Sequence, residues 1–431
     1  MKPVSALSSA QRGETKAVQR RILMVAFHFP PLAGSSGIQR TLRFAQHLPA
    51  FGWQPLILSA QPRAYERTSD DLMAEVPEGM VVRRAFALDT ARHLAIHGRY
   101  IGALARPDRW MTWRFDAVRQ GLQMVRRYRP QVLWSTYPIA TAHVIGAELA
   151  RQTGLPWIAD FRDPMAQEGY PADPATWHQY KRIEERALAQ GCASTFTTPG
   201  AAAEYRRRYP AHAHKVHVIE NGYDEESFVA VDTAEPARPL VEGAVTLLHS
   251  GIVYPSERDP TQLMAALRKL HDAGAITPQR LRVRFRAAVA EDLLRDLAAR
   301  NGVAEYLDIC PPIAYREALA EMLRADALLV MQASNCNAQI PAKLYEYLRA
   351  RRPVLCLTDP AGDTANTLRA ASINAIASLD DPDAIAAIFA RFLGLAGSPL
   401  QSLADKSFAE SASRRQRSRE LSSLIARLVP T

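Results

Sequence analysis

The sequence predicts an α/β protein in which two Rossmann-like, doubly wound domains face each other across a cleft. Three observations lead to this prediction. Short apolar and β-branched runs alternate with segments of helical periodicity, the alternation stops once at a polar, proline-bearing stretch, and it then starts again. Because parallel sheets bind ligands beyond the carboxyl ends of their strands, we expect the functional residues in strand-end loops that meet at the cleft.

The first unit begins with the run RILMVAFHF (21–29), which two prolines end. A loop containing two glycines separates it from residues 38–52, where apolar residues recur at helical spacing. The next run, 53–60, is again typical of a strand, so this segment predicts a βαβ unit. Further strands are expected at 81–88, 131–138, 155–164, 193–199 and 215–224, with helices at 141–154 and 200–209.

The second unit repeats this alternation after the polar stretch. Short loops between alternating strands and helices predict a mostly parallel sheet with helices on both faces. Strands are expected at 244–251, 280–289, 306–313, 326–333 and 353–359, with helices at 259–274, 291–302, 315–325 and 343–352.

Composition places the domain boundaries. Residues 1–20 are polar and basic and are interpreted as a disordered N-terminal segment, followed by an N-terminal domain over 21–228. The polar stretch with prolines predicts a linker over 229–243, and a C-terminal domain follows over 244–402. Residues 403–431 are interpreted as basic helices that pack back towards the N-terminal domain.

Bulk properties narrow the class of protein. The chain has 431 residues, of which 48% are hydrophobic and 23% charged, and its formal net charge is +9. These values are ordinary for a folded protein, and the positive charge favours anionic partners. The four cysteines form no CxxC pair, which argues against a disulfide framework or a zinc site. Neither a membrane-spanning run nor the apolar core of an export signal is found, so we expect a cytoplasmic protein.

Several stretches occur in the order in which one enzyme family carries them: FPPLAGSSGIQR, STYPIATAHVIG, TGLPWIADFRDP, IENGYD, LLHSGIVYPSERDP and IPAKLYEYLRARRPVL. In these stretches the chain resembles the family-4 retaining glycosyltransferases of the GT-B type, especially bacterial members from polysaccharide gene clusters. The resemblance implies transfer of a hexose-type sugar, with retention, from a UDP- or GDP-sugar. It implies a saccharide or polyprenyl-linked acceptor and a role in cell-surface polysaccharide biosynthesis.

In the first half, Gly34 and Gly37 would let the backbone approach a ligand, and the helix that follows would favour a phosphate at its N-terminus. The resemblance places this loop near the donor diphosphate, although an ordinary βα turn also needs glycine. It also places His143 close to the transferred sugar. Asp160 could orient an acceptor hydroxyl or act as a base. Either residue could instead be structural, and Arg162 is interpreted as shaping its loop.

In the second half, Gly251 and Arg258 lie in the loop after the first strand, where the resemblance places a basic pair on the donor diphosphate. The usual lysine a few residues further on is replaced by Asp259 and Pro260. We expect Lys343 to supply the second charge from another loop. Two cations there would neutralise the charge of the leaving group, whereas a solvated surface charge is the alternative for Arg258.

The segment IPAKLYEYL matches the family in part. The family carries two glutamates separated by seven residues, and Glu346 fits the second, which holds the ribose hydroxyls. The first falls at Ala338, so the acid near the donor sugar is missing. The resemblance also assigns Leu344 to donor binding and Ile313 to backbone contacts with the base. Because amides both donate and accept hydrogen bonds, three are candidates for sugar binding: Asn335, Asn337 and Gln339.

Residues 99–128 combine many arginines with four aromatic residues, Tyr100, Trp110, Trp113 and Phe115. Basic and aromatic residues together favour the interface of an anionic membrane, so we expect peripheral membrane contact here. The alternative is a solvated helix with an apolar stripe facing the core.

Other classes of function fit less well. No metal or other cofactor is expected, because the donor loops carry no DxD-like aspartate pair and no His/Cys cluster is found. Nucleic acid is not an expected partner, since no nucleic-acid-binding motif is found. GxGxxG does not follow the first strand, which argues against a nicotinamide dehydrogenase. Ala338 and the missing loop lysine keep one alternative open, a nucleotide-binding or scaffolding protein without turnover.

Overall fold

The computed structural model describes residues 20–35, 37–232, 238–398 and 400–429. Residues 1–19 of the predicted N-terminal segment and 233–237 of the predicted linker lie outside the described residues. The described chain forms two parallel sheets with helices on their faces, which confirms the predicted α/β class.

The first sheet has seven parallel strands in the described chain: β1 (Arg20–Val25), β2 (Trp53–Ala60), β3 (Val81–Ala85), β4 (Val132–Thr136), β5 (Trp157–Arg162), β6 (Ala193–Phe196) and β7 (Val216–Val218). Their order across the sheet is β3-β2-β1-β4-β5-β6-β7. The strand order changes direction between β1 and β4, and doubly wound sheets bind ligands in the crevice at such a point.

The helices of this half are α1 (Gly37–His47), α2 (Thr90–His93), α3 (Trp113–Tyr128), α4 (Thr141–Thr153), α5 (Pro174–Gln190), α6 (Pro199–Arg208) and α7 (Glu225–Asp232). Helix α7 runs into residues 229–232, which composition assigned to the linker. Most of its residues are polar, but Phe228 and Val231 are buried in the core of the second sheet. That burial holds the segment helical.

The second sheet contains six parallel strands within the described ranges: β8 (Val245–Ser250), β9 (Leu281–Arg286), β10 (Leu307–Cys310), β11 (Ala327–Gln332), β12 (Val354–Thr358) and β13 (Ile376–Ala377). Their order is β10-β9-β8-β11-β12-β13. The helices around it are α8 (Thr261–Asp272), α9 (Glu291–Asn301), α10 (Tyr315–Arg324), α11 (Lys343–Ala350), α12 (Asp363–Ala370) and α13 (Pro382–Phe392).

Strand β9 departs from the continuous apolar pattern of a buried parallel strand, because every second residue is arginine. The arginines are satisfied by acids on neighbouring elements. Arg286 donates from Nε to Oε2 of Glu321 over 2.8 Å, and Arg284 lies 3.2 Å from an oxygen of Asp308. The face therefore carries an ion-pair network in place of apolar packing.

The chain ends with α14 (Lys406–Ser411) and α15 (Arg414–Leu428), and α15 returns to pack against α1. Leu421, Leu424 and Ile425 of α15 are buried in one cluster with Ile22 and Trp53 of the first sheet. The C-terminal helix thereby completes one face of the first domain's core. Among the described helices, none is long and apolar enough to cross a membrane.

Candidate functional site

The candidate site is a cleft of about 780 Å³ between the two domains. One side of the cleft belongs to the first domain and is lined by the loop after β1, the end of β5 and the turn that follows β7. The end of β8, helix α10 and the start of α11 line its other side, and α15 closes one end. Loops at the carboxyl ends of both sheets thus face one cavity.

The loop after β1 brings the N-terminus of α1 to this cleft. Gly34 lines the cleft with a φ of +78°, a conformation that favours glycine. Gly37 begins α1 where space is tight, since an added Cβ would lie 2.4 Å from Nδ1 of His28 and 2.8 Å from Nη1 of Arg162. A side chain at position 37 would therefore displace Arg162 from the cleft.

Asp160 is not free to act as a base. It is fully buried, and the Arg40 guanidinium donates to both its oxygens, over 2.7 and 2.9 Å. Thr136 and Thr195 donate hydroxyl hydrogen bonds over 2.8 and 2.7 Å. Burial by itself would raise the pKa of Asp160, but Arg40 and the two hydroxyls hold it below its ordinary value. Asp160 thus positions Arg40, which lines the cleft.

His143 lies on the first turn of α4, outside the cleft residues. It is fully buried, hydrogen-bonds the Ser135 hydroxyl through Nδ1 over 2.8 Å, and packs against Phe161 with ring centroids 4.8 Å apart. Burial lowers the pKa of His143 to about 4, against the opposing charge of Asp160. The structure therefore places His143 near Asp160 but outside the residues that line the cleft.

Arg162 was interpreted as a loop-shaping residue, yet it lines the cleft. It ends β5 with a φ of +64°, a strained value for a residue with a side chain. Its Nε is buried without a hydrogen-bond partner in the described chain, and Nη1 lies 3.4 Å from the Tyr137 carbonyl. A buried, unpartnered Nε on a residue in a strained conformation is a feature typical of ligand sites. The register shift between β5 and β6 at this point was not visible in the sequence.

Across the cleft, Lys343 begins α11 and donates from Nζ to Nε2 of His249 over 3.0 Å. The Leu329 carbonyl lies 2.9 Å from Nδ1 of the same ring. Since a carbonyl only accepts, Nδ1 carries the proton and Nε2 accepts from the lysine. Burial, followed by the nearby charge of Arg258, holds the pKa of Lys343 well below its ordinary value. His249 is a site residue that the sequence analysis missed.

Gly251 leaves space for the Lys343 ammonium group. Its φ is +115°, and an added Cβ would lie 3.2 Å from Nζ of Lys343. Arg258 stands beside this lysine, donates from Nη1 to the Ile252 carbonyl over 2.6 Å and stacks on Tyr254. The structure thus brings together the predicted Gly251, Arg258 and Lys343, although Arg258 does not itself line the cleft.

Glu346 lies one turn along α11 and also lines the cleft. The Tyr315 hydroxyl donates to its Oε1 over 2.8 Å. Burial raises the pKa of Glu346, with Arg414 and the tyrosine opposing. Within the described residues no hydrogen bond to its second oxygen is found, so that oxygen can accept from a ligand hydroxyl. This environment differs from that of a freely exposed glutamate on a helix surface.

The remaining predicted donor residues differ in their surroundings. Gln339 lines the cleft, whereas Leu344 is fully buried in the core of the second domain and donates its amide to the Pro341 carbonyl. Ile313 follows β10 and is half-buried beside the cleft residue Tyr315. Ala338 touches the first domain, because the Thr198 hydroxyl donates to its carbonyl over 2.7 Å.

Helix α15 adds two cations that the sequence analysis did not assign to the site. Arg417 pairs with Glu220 over 2.9 Å, and Arg414 donates to the Gln39 side chain over 3.0 Å. Four basic residues at or beside the cleft have hydrogen-bond partners that are all neutral groups within the described ranges: Arg162, Arg258, Lys343 and Arg414. Their charge is available to an anion.

One group near the cleft has the composition of a metal site. His47, Asp224 and Glu226 bring their ligand atoms within 4.8 Å of one another. However, Nη2 of Arg43 lies 3.2 Å from Oδ2 of Asp224, so this carboxylate is already paired with a guanidinium. This group is a poor match for a cation, and the expectation that no cofactor is needed stays a prediction.

Residues 36–222 match the family model described as "Glycosyl transferase 4-like domain". No curated protein sequence matches the chain. Solved structures align with the chain over almost the full length of both, and three of them illustrate the likeness. A glycosyltransferase from Rickettsia africae has a TM-score of 0.66 at 12% identity, over 96% of this chain and 100% of its own. HepE from Anabaena in complex with UDP has a TM-score of 0.59 at 13% identity, over 94% and 95%.

Sucrose-phosphate synthase from Thermosynechococcus elongatus is the third, with a TM-score of 0.55 at 14% identity over 94% of each chain. At these identities the likeness concerns the fold. The arrangement of two facing α/β domains is the GT-B fold, as the sequence resemblance implied.

Proposed function

We propose that the protein is a glycosyltransferase that takes a hexose-type sugar from a UDP- or GDP-sugar and transfers it with retention. The observation that carries the proposal is the convergence of Arg162, Lys343 and Arg414 on one interdomain cleft, without carboxylate partners in the described chain. A diphosphate is the ligand that satisfies such a group of cations. The glycosyl transferase 4-like match in the first domain supports this class of reaction.

In this proposal Lys343 and Arg258 hold the diphosphate at the start of α11. Their charge stabilises the leaving nucleoside diphosphate as the bond to the sugar breaks. Glu346 accepts hydrogen bonds from the ribose through the oxygen that Tyr315 does not use. Gln339, at the cleft, provides an amide for the sugar in place of the acid missing at Ala338.

Transfer with retention is supported by the hydrogen bonding of Asp160, which leaves this carboxylate unavailable as a base. Its four hydrogen bonds and its lowered pKa make it a poor proton acceptor. A departing phosphate oxygen would then take the proton of the acceptor hydroxyl on the same face of the sugar. The anomeric configuration of the product, read from its proton NMR coupling constant, tests this point.

The nucleotide is tested by a thermal-shift panel of UDP, GDP, ADP and CMP on the wild type, Glu346→Ala and the control Glu305→Ala. Glu305 is an exposed glutamate of the same domain. We expect one diphosphate to stabilise the wild type and the control, and Glu346→Ala to lose most of that shift. No shift at millimolar concentration with any of the four would count against the proposal.

The alternative is a protein that binds the nucleotide without turnover, which Ala338 favours because it replaces the expected acid. The two functions separate in one assay. Release of free nucleoside diphosphate from the sugar nucleotide that binds, with or without acceptor, supports the enzyme. Tight binding with no release at high enzyme concentration supports the alternative.

For the acceptor we propose a saccharide or polyprenyl-linked molecule at an anionic membrane surface. The segment before α3 exposes Ile96, Ile101 and Leu104, and Phe115 on α3 is 63% exposed. The predicted aromatic cluster divides, however, since Trp113 is fully buried and Trp110 packs on Phe27. Flotation with anionic liposomes tests the contact, and no binding at low salt would exclude it.

A further inference from the structure

A second cavity of about 600 Å³, here called the arginine pocket, lies in the first domain outside the cleft. It opens between α4, α5 and the segment that precedes α3. Four of its lining residues are arginines, and no acidic residue of the described chain lines it. The residues that matter for the argument are Arg106, Arg114, Arg182 and Arg186, together with His143.

His143 presents an unused nitrogen at this pocket. It is fully buried, and its Nε2 has no hydrogen-bond partner in the part of the chain that the structure describes. Leaving a buried polar nitrogen without a hydrogen-bond partner is unfavourable. His143 is one of the residues that line the pocket, so an atom of a bound ligand is a partner that could remove that cost.

The hydrogen bonds behind His143 indicate that this nitrogen is a donor. The Trp157 indole donates to the Ser135 hydroxyl over 2.8 Å, and the same hydroxyl lies 2.8 Å from Nδ1 of His143. The indole uses the hydroxyl as an acceptor, so the hydroxyl is free to donate its own proton to Nδ1. The ring proton then resides on Nε2, as an N–H group directed away from Ser135.

The charge around the pocket is positive. Arg114 stacks on the exposed Phe115, and Arg106 pairs with Asp173 over 3.2 Å at the partly exposed rim. Glu148 lines an adjoining cavity together with Arg186, and Arg151 already pairs with this carboxylate. An N–H donor and several guanidinium groups that line one pocket match a tetrahedral oxyanion.

We propose that the arginine pocket binds a phosphate group, with Nε2 of His143 donating to one oxygen and Arg182 and Arg186 supplying charge. The phosphate can belong to a small phosphorylated metabolite or to a lipid headgroup. The exposed Ile101, Leu104 and Phe115 lie in the segments that also form the pocket. The proposal does not rest on the proposed sugar transfer, because the cleft and the arginine pocket have no lining residue in common.

The test compares Arg182→Ala/Arg186→Ala with the control Arg126→Ala/Arg127→Ala. The control removes two exposed arginines from the last turn of α3, and neither of them lines the pocket. Glycerol 3-phosphate is titrated into each protein by calorimetry. Phosphatidylcholine vesicles with and without phosphatidic acid are used in flotation. Lys343→Ala, which alters the cleft, is titrated in parallel to separate the two anion sites.

If the phosphate is from a metabolite, glycerol 3-phosphate binds the wild type, the control and Lys343→Ala with similar affinity. The pocket variant then loses at least about tenfold in affinity. If it is from a lipid, the same dependence on Arg182 and Arg186 is seen with phosphatidic acid vesicles alone. The proposal is overturned if neither probe binds, or if the control loses as much affinity as the pocket variant. Loss confined to Lys343→Ala would also overturn it, since the probe would then occupy the cleft.

Discussion

At the scale of single residues, the cleft contains three cations, Arg162, Lys343 and Arg414, that make no ion pair with a carboxylate within the described chain. Lys343 is buried beside a guanidinium and donates to a neutral imidazole, which is an unfavourable setting for an ammonium ion. Arg162 is held in a left-handed conformation with a buried, orphaned Nε. Such costs are tolerated where a ligand relieves them. Asp160, by contrast, accepts four hydrogen bonds and holds the Arg40 guanidinium in position.

Lys343 provides the first prediction. Its pKa is lowered in the free protein, and a bound diphosphate would raise it, so between the two values binding takes up a proton and affinity falls as pH rises. We expect calorimetry with UDP or GDP, in two buffers of different ionisation enthalpy, to show proton uptake by the wild type. Lys343→Arg should bind without that uptake, because arginine stays charged.

The same variant series measures the catalytic weight of this charge. Lys343→Ala should lower kcat/KM by about 10²–10³-fold, as expected for a group that stabilises a developing anion. Equal proton uptake by the wild type and Lys343→Arg, or unchanged turnover in Lys343→Ala, would show that the lysine does not contact the diphosphate.

Asp160 provides the second prediction, which separates a structural role from a catalytic one. Asp160→Asn removes the partner of a buried guanidinium and should cost about 3–5 kcal/mol of unfolding free energy, measured by urea denaturation. Because the folded-state pKa is lowered, the carboxylate stabilises the fold above its unfolded pKa, near 3.9, and this contribution is lost as pH falls.

The stability difference should therefore shrink in acid. The control is Asp292→Asn, an exposed aspartate on α9 that should change stability by less than about 0.5 kcal/mol. A stable Asp160→Asn protein with no activity would instead restore Asp160 to the chemistry.

At the scale of elements, the C-terminal helix is part of the first domain's structure and of the cleft. One face of α15 buries Leu421 against β1 and β2, and the start of the helix directs Arg414 to the cleft. Its position depends on Gly222, where an added Cβ would lie 2.5 Å from the Ala412 carbonyl oxygen. Backbone cannot move aside as a side chain can, so this close approach requires glycine.

Leu421→Ala provides the third prediction. The side chain is fully buried, so we expect a loss of about 2–5 kcal/mol in urea unfolding. Leu403→Ala is the control, since Leu403 is 46% exposed and should contribute little. An equal, small effect of both substitutions would mean that α15 does not belong to the core. Weaker nucleotide binding by Leu421→Ala would add that the helix positions Arg414.

At the scale of the whole molecule, the two domains meet at the N-terminus of α6. The Gly200 amide donates to Oδ2 of Asp363 over 2.7 Å, and the Thr198 hydroxyl donates to the Ala338 carbonyl. An added Cβ on Gly200 would lie 3.1 Å from Cβ of Ala338. The position of the missing family glutamate is therefore an interdomain contact in this protein.

Ala338→Glu provides the fourth prediction. A carboxylate here would meet Gly200 and the charge of Asp363, so we expect the domains to separate and the small-angle scattering radius of gyration to increase. Ala304→Glu, at an exposed position of the same domain, should leave the radius unchanged. If Ala338→Glu keeps the radius of the wild type and gains turnover, the position can accept the family's acid after all.

The sequence alone determined the two α/β units and most of their strands and helices, because apolar periodicity is a local property. It also predicted Gly251, Arg258, Lys343 and Glu346 as site residues, and the structure places them at strand ends and helix starts that the local pattern reveals. It could not show that α7 joins the second core, since two buried residues in a polar segment give a weak signal.

Only the tertiary structure decided which charges remain available. Asp160 pairs with Arg40, which lies 120 residues away in the chain, and Nδ1 of His143 is hydrogen-bonded to Ser135, which lies 8 residues away. Arg162 and His249 acquire their roles from a strained strand end and from a lysine 94 residues further on. The function of an ionisable side chain depends on burial and on partners brought together by folding, and neither is written in its immediate sequence.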